Sequence, residues 1–214
     1  MAQYYIKAIQ TVQEAGPYLF AGWCMGGAIA FEMARQLQAQ GQQTSFLALI
    51  EIYDFWTISN RVAVDETSLL VPLFKKHLSL SEEQLQQVES NLRQMEFDQQ
   101  LAYVIEQAQK HNIELPLGFG AEQLGRLLKV RKFHAEATVN YLPKPDYLGK
   151  VTLIQAQEGN SAHATNPTLG WEVLASRINL HWVRGDHYTI FHEPHVKLLA
   201  QTLQVSLEQT QIYE

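Results

Sequence analysis

The chain has 214 residues with 46% hydrophobic and 18% charged side chains, which excludes a disordered chain and predicts a globular protein with a sizeable core. A net charge of −6 argues against nucleic acid as a partner, and no apolar run reaches the roughly 18 residues of a membrane span. Because the start lacks a signal peptide and the one cysteine forms no disulfide within the chain, we expect a cytoplasmic protein without membrane attachment.

The first fifty residues predict alternating helices and strands. Residues 2–14 place apolar side chains at helical spacing, and a Gly-Pro pair ends that helix. Residues 18–22 predict a short buried strand, and residues 26–40 predict an amphipathic helix. The almost wholly apolar run at 45–50 is typical of a strand that is covered on both faces.

The middle of the chain, residues 51–149, is helical and irregular. Ser81 and Gln84 have the spacing of a capping box that opens one helix. Residues 121–141 predict a second helix, which ends before two prolines. This stretch is far too long for a plain connection between strands, so we interpret it as a helical insertion.

Alternating strands and helices return after the insertion. Residues 151–156 and 178–183 predict strands, residues 169–175 predict a short helix, and Pro194 opens a final helix. Such alternation is typical of a parallel sheet with helices on both faces. The predicted organisation is an α/β core in residues 1–54 and 146–214, with a helical lid insertion in residues 55–145.

The segment from Gly22 to Gly27 has the pattern of a nucleophile elbow, with Cys24 in the place of the nucleophile. It lies between a predicted strand and a predicted helix, so Cys24 is presented at the carboxyl edge of the sheet. The following helix N-terminus favours a thiolate, and the backbone N–H of Met25 is the predicted oxyanion donor. The alternative is that Cys24 is a small buried apolar residue.

A base and an acid are also predicted. His187 lies on the loop after the last predicted strand, where a hydrolase of this architecture places its base. Three carboxylates are candidates for the acid that partners the base. Glu51 ends the strand at 45–50, Asp54 follows three residues later, and Glu158 comes after the next strand.

With these residues in place, four regions resemble those of a known family. Residues 16–27 look like an elbow and residues 29–37 like the helix that follows it. Residues 166–171, and residues 185–190 followed by 193–196, look like late signatures. The family is that of the thioesterase domains of nonribosomal peptide and polyketide synthetases, which have the α/β-hydrolase fold. The resemblance covers nearly the whole chain and is weak through the insertion.

The resemblance implies a role for each residue of the site. Cys24 takes the position of the nucleophile, which is usually serine in this family, and His187 takes the position of the base. Glu51 takes the position of an aspartate that ends the middle strand. This favours Glu51 over Glu158 as the acid, with Asp54 in reserve.

Trp23 and Tyr188, next to the nucleophile and the base in sequence, are the predicted residues of the substrate pocket. Six residues of the insertion are expected either to line the acyl pocket or to form core: Leu69, Leu70, Leu78, Phe97, Tyr103 and Phe133. No metal and no bound cofactor are expected. The resemblance implies an acyl or peptidyl thioester that a carrier domain presents on its phosphopantetheine arm.

Members of the family carry a further N-terminal segment with the first strands and a loop that gives a second oxyanion donor. We therefore expect an N-terminally truncated core without the early strands. Loss of one such donor typically costs about 100- to 1000-fold in rate. The strand at 18–22 would then have an open edge, which makes self-association an expectation.

The sequence thus predicts a thioesterase that releases its chain, by hydrolysis or cyclisation, through an acyl-Cys24 intermediate with His187 as base. The alternative is a non-catalytic module that docks a carrier domain. A third hypothesis is a general esterase or lactonase of the same fold.

Overall fold

The computed structural model describes residues 1–52, 65, 67–71, 80–111, 120–158 and 166–211. The chain divides into two compact units. The first unit comprises Met1–Asn60 and Leu142–Glu214, and the second comprises Arg61–Tyr141.

The described residues include one sheet of four parallel strands, which lie in the order β1-β2-β3-β4. These strands are β1 (Tyr18–Trp23), β2 (Thr44–Ile50), β3 (Tyr147–Ala156) and β4 (Ala175–Val183). The helices are α1 (Ala2–Gln10), α2 (Met25–Ala39), α3 (Glu82–Arg93), α4 (Phe97–Lys110), α5 (Ala121–Asn140) and α6 (His195–Gln211). A parallel sheet flanked by helices confirms the predicted α/β class.

The short helix predicted at residues 169–175 is wrong. The structure has one 3-10 turn there, Trp171–Val173, and β4 already begins at Ala175. Leu169 and Gly170 have φ values of 53° and 82°, and this left-handed backbone is incompatible with a right-handed helix. Within the residues that the structure describes, no helix is both long and apolar enough to cross a membrane.

The two faces of the sheet are covered by different helices. Helix α2 packs against β1 and β2 on one face. On the other face, side chains from three strands form a cluster with Leu199 of α6, and these are Ile50, Ile154, Ala156 and Val183. Full burial of each large aliphatic side chain contributes about 1.5–3 kcal/mol. The carboxyl ends of β1, β2 and β4 are thereby fixed at one edge of a rigid sheet.

The second unit has its own helical core. The predicted capping box is confirmed, since the Ser81 hydroxyl accepts from the Gln84 amide at 3.2 Å and the Gln84 side chain accepts from the Ser81 amide at 2.8 Å. Four of the six insertion residues named above pack in this core, namely Leu69, Leu70, Phe97 and Tyr103. Phe133 is 69% exposed, and Leu78 lies outside the described residues.

Two buried glutamines differ in the hydrogen bonds that their side-chain amides make. Substitution by leucine is therefore expected to change the free energy of unfolding in opposite directions at the two positions. Gln155 of β3 is fully buried, and neither amide atom has a partner among the described residues. Gln155→Leu is therefore expected to raise the free energy of unfolding by about 1–3 kcal/mol, measured by chemical denaturation. The Gln100 side-chain N–H₂ donates to the Leu92 carbonyl at 2.8 Å and to the Thr67 hydroxyl at 3.2 Å, while its Oε1 has no partner among the described residues. Gln100→Leu is the matched control and should destabilise the protein, whereas a less stable Gln155→Leu variant would contradict the prediction.

Candidate active site

Cys24 lies on a strained turn between β1 and α2. Its φ of 53° and ψ of −126° are a conformation that L-residues rarely adopt. The Cys24 amide donates to the Ile50 carbonyl at 2.9 Å, which ties the turn to the neighbouring strand. A Cβ at Gly22 would lie 2.2 Å from the Gly26 carbonyl oxygen, so this approach of strand and helix requires glycine. The turn therefore has the backbone of a nucleophile elbow.

Met25 is the first residue of α2, directly after Cys24. The first amides of a helix lack the usual acceptor four residues earlier within the helix, and the Met25 N–H stays the predicted oxyanion donor. The Cys24 carbonyl accepts from the Gly27 amide at 3.0 Å, which closes the first turn of this helix. The partial positive charge of the helix N-terminus also favours negative charge at the cysteine sulfur.

Glu51 follows β2 and turns back toward the sheet with a φ of 48°. Its amide donates to the Ile154 carbonyl at 2.8 Å, and its Oε1 accepts from the Ala156 amide. Its Oε2 lies 3.3 Å from Nδ1 of His187, and the residue is only 6% exposed. A buried carboxylate with both oxygens engaged is thereby aimed at the imidazole ring.

Glu158, a second candidate acid, does not share this position. Glu158 is exposed on the loop after β3, and its amide donates to the Gly185 carbonyl at 2.9 Å. Asp54 lies outside the described residues. Among the carboxylates that the structure describes, the one in contact with His187 belongs to Glu51.

His187 is held in a tight turn after β4. Gly185 opens the turn with a φ of 102°, which favours glycine. The Asp186 carboxylate accepts from the amides of Tyr188 at 2.9 Å and Thr189 at 2.8 Å, and these hydrogen bonds lower the pKa of Asp186. A locked turn of this kind limits the movement of the His187 backbone.

The electrostatics of His187 result from opposing effects. Partial burial of the ring on its own would lower its pKa. Hydrogen bonds with the side chains of Cys24 and Glu51, together with electrostatic attraction to both groups, outweigh this and raise the pKa of His187 to about 9. This direction favours the imidazolium form at neutral pH, with Cys24 and Glu51 as its hydrogen-bond partners.

Aromatic side chains pack around the same histidine. The indole Nε1 of Trp23 donates to the His187 carbonyl at 3.2 Å, and the Trp23 and His187 ring centroids are 4.8 Å apart. The Tyr188 ring packs edge-on against the Trp23 ring, at a centroid distance of 6.2 Å. The sequence predicted both aromatic residues as pocket residues, and that role stays a prediction. The contact with His187 was missed, because no local pattern connects residues 164 positions apart.

The site therefore brings together a thiol, an imidazole and a carboxylate from the ends of three strands. A comparison with known families matches residues 1–206 to a single model, described as the thioesterase domain. The chain belongs to the thioesterase domain family. Membership of this family is consistent with an enzyme that acts on thioester bonds.

Relatives of this thioesterase domain are parts of large synthases. It is 28% identical, over 68% of its length, to the polyketide synthase PksR of Bacillus subtilis (strain 168). It also resembles the solved structure of a four-domain nonribosomal peptide synthetase bound to AMP and glycine, with a TM-score of 0.78 and 27% identity over 95% of the chain. The domain spans 6% of PksR and 15% of the peptide synthetase.

The likeness extends to a thioesterase domain solved on its own. The NocB thioesterase domain, in covalent complex with a fluorophosphonate nocardicin G analogue, matches with a TM-score of 0.62 and 20% identity. The match covers 97% of this chain and 73% of that one. At this identity the comparison concerns the fold, and it confirms the predicted α/β-hydrolase-like architecture.

Proposed function

We propose that this thioesterase domain releases an acyl or peptidyl chain from the phosphopantetheine arm of a carrier domain. Cys24 is the nucleophile, His187 is its base, and Glu51 orients the base. The observation that carries the proposal is the contact of His187 with both Glu51 and Cys24 at the carboxyl edge of the sheet. Its relatives in polyketide and peptide synthases support a carrier-bound thioester as the substrate.

In the first step, Cys24 is the thiolate and His187 holds its proton as imidazolium. The sulfur attacks the thioester carbonyl carbon, and the negative charge moves to the carbonyl oxygen, near the Met25 N–H. The carbon–sulfur bond to pantetheine then breaks, and the His187 proton passes to the departing sulfur. The chain is now a thioester of Cys24, so one thioester has been exchanged for another.

The second step frees the chain from Cys24. His187, now neutral, takes a proton from water or from a nucleophile within the chain, which attacks the acyl-Cys24 carbonyl. His187 returns that proton to the Cys24 sulfur as the bond breaks. Because an acyl thioester reacts more readily with amines than an oxygen ester does, the cysteine makes cyclisation by an internal amine more plausible than in a serine enzyme.

An acyl adduct on Cys24 tests this function directly. Incubation with an acyl-pantetheine thioester is expected to add the acyl mass to the wild-type protein, seen by intact-mass spectrometry, while free acid or cyclised product accumulates. Cys24→Ala should show neither adduct nor product, and since the chain has one cysteine, no other thiol in it can take the acyl group. A stable adduct without product would favour a docking module over an enzyme. A folded wild-type protein that shows neither adduct nor product would exclude the acyl-Cys24 route.

A further inference from the structure

Trp23 makes two separate contacts with His187. It is the last residue of β1 and directly precedes Cys24, so its position is set by the sheet. Its indole Nε1 donates to the His187 carbonyl at 3.2 Å. Its ring also lies against the imidazole, with centroids 4.8 Å apart and an angle of 34° between the planes. One side chain thus binds both the backbone and the ring of the same histidine.

The Trp23 ring is itself supported from its edges. Phe191 packs edge-on against it at a centroid distance of 5.3 Å, and Tyr188 does so at 6.2 Å. Trp23 is still 37% exposed, so burial alone does not account for a tryptophan at this position. The contacts point instead to a function that depends on the indole group.

The contacts of Trp23 restrict a movement of the His187 ring that Glu51 leaves open. Glu51 engages Nδ1 of His187, which fixes one edge of the ring but leaves the ring able to pivot about that contact. The indole lies beside the imidazole and restricts this movement, while its N–H holds the backbone of the turn. A tryptophan ring also attracts a neighbouring cation, and this attraction acts on the imidazolium form of His187. We propose that Trp23 is a positioning residue that holds His187 between Glu51 and Cys24.

Among the residues that the structure describes, four titratable side chains face or adjoin His187, and every variant compared must retain them. They are Cys24, Glu51, Tyr188 and Asp186. The Asp186 carboxylate is already engaged by two backbone amides of the turn. Replacement of Trp23 leaves all four groups in the sequence, so a change in the titration of His187 reports on the indole contacts.

The experiment is an NMR titration of His187 in the wild type and in two variants. Trp23→Leu removes both the ring and the N–H, and Trp23→Phe keeps a ring but removes the donor. Leucine keeps an apolar side chain beside the imidazole, so we expect the lost attraction to the imidazolium to outweigh the gain in hydration, which acts to raise the pKa of His187. Trp23→Leu should then lower this pKa by about half to one unit, and Trp23→Phe should lower it by less. Phe191→Leu is the matched control, because it removes a ring that packs on Trp23 but keeps the indole and its N–H. It should shift the pKa of His187 less than Trp23→Leu does.

The positioning role of Trp23 rests on the proposed function, in which His187 is the base. The experiments distinguish failure of the positioning role from failure of the proposed function. If both Trp23 variants titrate His187 as the wild type does, the positioning role is overturned, whatever the activity. If the wild-type protein releases no acyl chain but the Trp23 variants change the pKa of His187, the thioesterase proposal fails and the positioning role of Trp23 is retained. Repeating the titration with Cys24→Ala shows whether the shift is independent of the thiol. Among active proteins, Trp23→Leu should lower kcat about tenfold with little change in KM.

Discussion

Replacing His187 with alanine is expected to slow acylation of Cys24 by about 1000-fold or more. The imidazolium both stabilises the thiolate and supplies the proton to the departing sulfur, and alanine does neither. The measurement is single-turnover acylation by an acyl-pantetheine thioester, followed by intact mass at pH 7.

The matched control for this variant is His192→Ala, since His192 is an exposed histidine of the same loop region. Its acylation rate should stay within about threefold of wild type, as expected for a surface substitution away from the site. Added imidazole should restore part of the rate of His187→Ala by entering the space left by the side chain. A His187→Ala protein that acylates at the wild-type rate would rule out His187 as the base.

Replacing Glu51 with glutamine is expected to slow release of the chain by about 100- to 10,000-fold while the protein stays folded. The new Oε1 can still accept from the Ala156 amide, so the backbone contact is kept. The new amide N–H₂ then faces Nδ1 of His187, which must act as an acceptor. That tautomer carries its proton on Nε2, the nitrogen on the other side of the ring. It can take a second proton, from Cys24, only by losing the hydrogen bond that Nδ1 accepts from the new amide.

The same variant predicts a change in pH dependence. The Glu51 carboxylate helps to raise the pKa of His187 to about 9, so its loss lowers that pKa. The imidazolium is then lost at a lower pH, and the alkaline limit of Cys24 acylation should move down from about 9. Glu158→Gln, which changes an exposed carboxylate that sequence reasoning also considered, should leave both the rate and this limit unchanged. An unchanged limit in Glu51→Gln would contradict the assignment of the acid.

Much of the fold follows from short-range sequence patterns. The predicted strands at 18–22 and 45–50 lie within β1 and β2. A short apolar run bounded by turn residues is typical of a buried strand, so this pattern indicates both strands directly. The final helix begins after Pro194, as the sequence indicates. The helix predicted at residues 169–175 does not form, because Leu169 and Gly170 have a left-handed backbone. That backbone depends on tertiary packing, so the local sequence pattern does not reveal it.

The site was predictable only in part, for a related reason. The elbow around Cys24 is a local pattern of glycines, and the sequence indicates it directly. The choice among Glu51, Asp54 and Glu158 depends on which carboxylate reaches His187 across the sheet edge, and spacing along the chain does not encode this. The backbone turn at Glu51, with its φ of 48°, is what brings that carboxylate back toward Ala156 and His187.

The pairing of β2 with β3 has a consequence for folding. These strands are hydrogen-bonded neighbours, yet the whole second unit lies between them in the sequence. The contact of Glu51 with His187 joins residues 136 positions apart, so it cannot form until that long loop has closed. Contacts of such high sequence separation form slowly, and the reactive geometry should therefore be among the last features to appear during refolding. Loop-closure entropy grows only logarithmically, and doubling the intervening length costs about 0.6 kcal/mol, so the intervening unit can vary widely in size at little cost to the sheet.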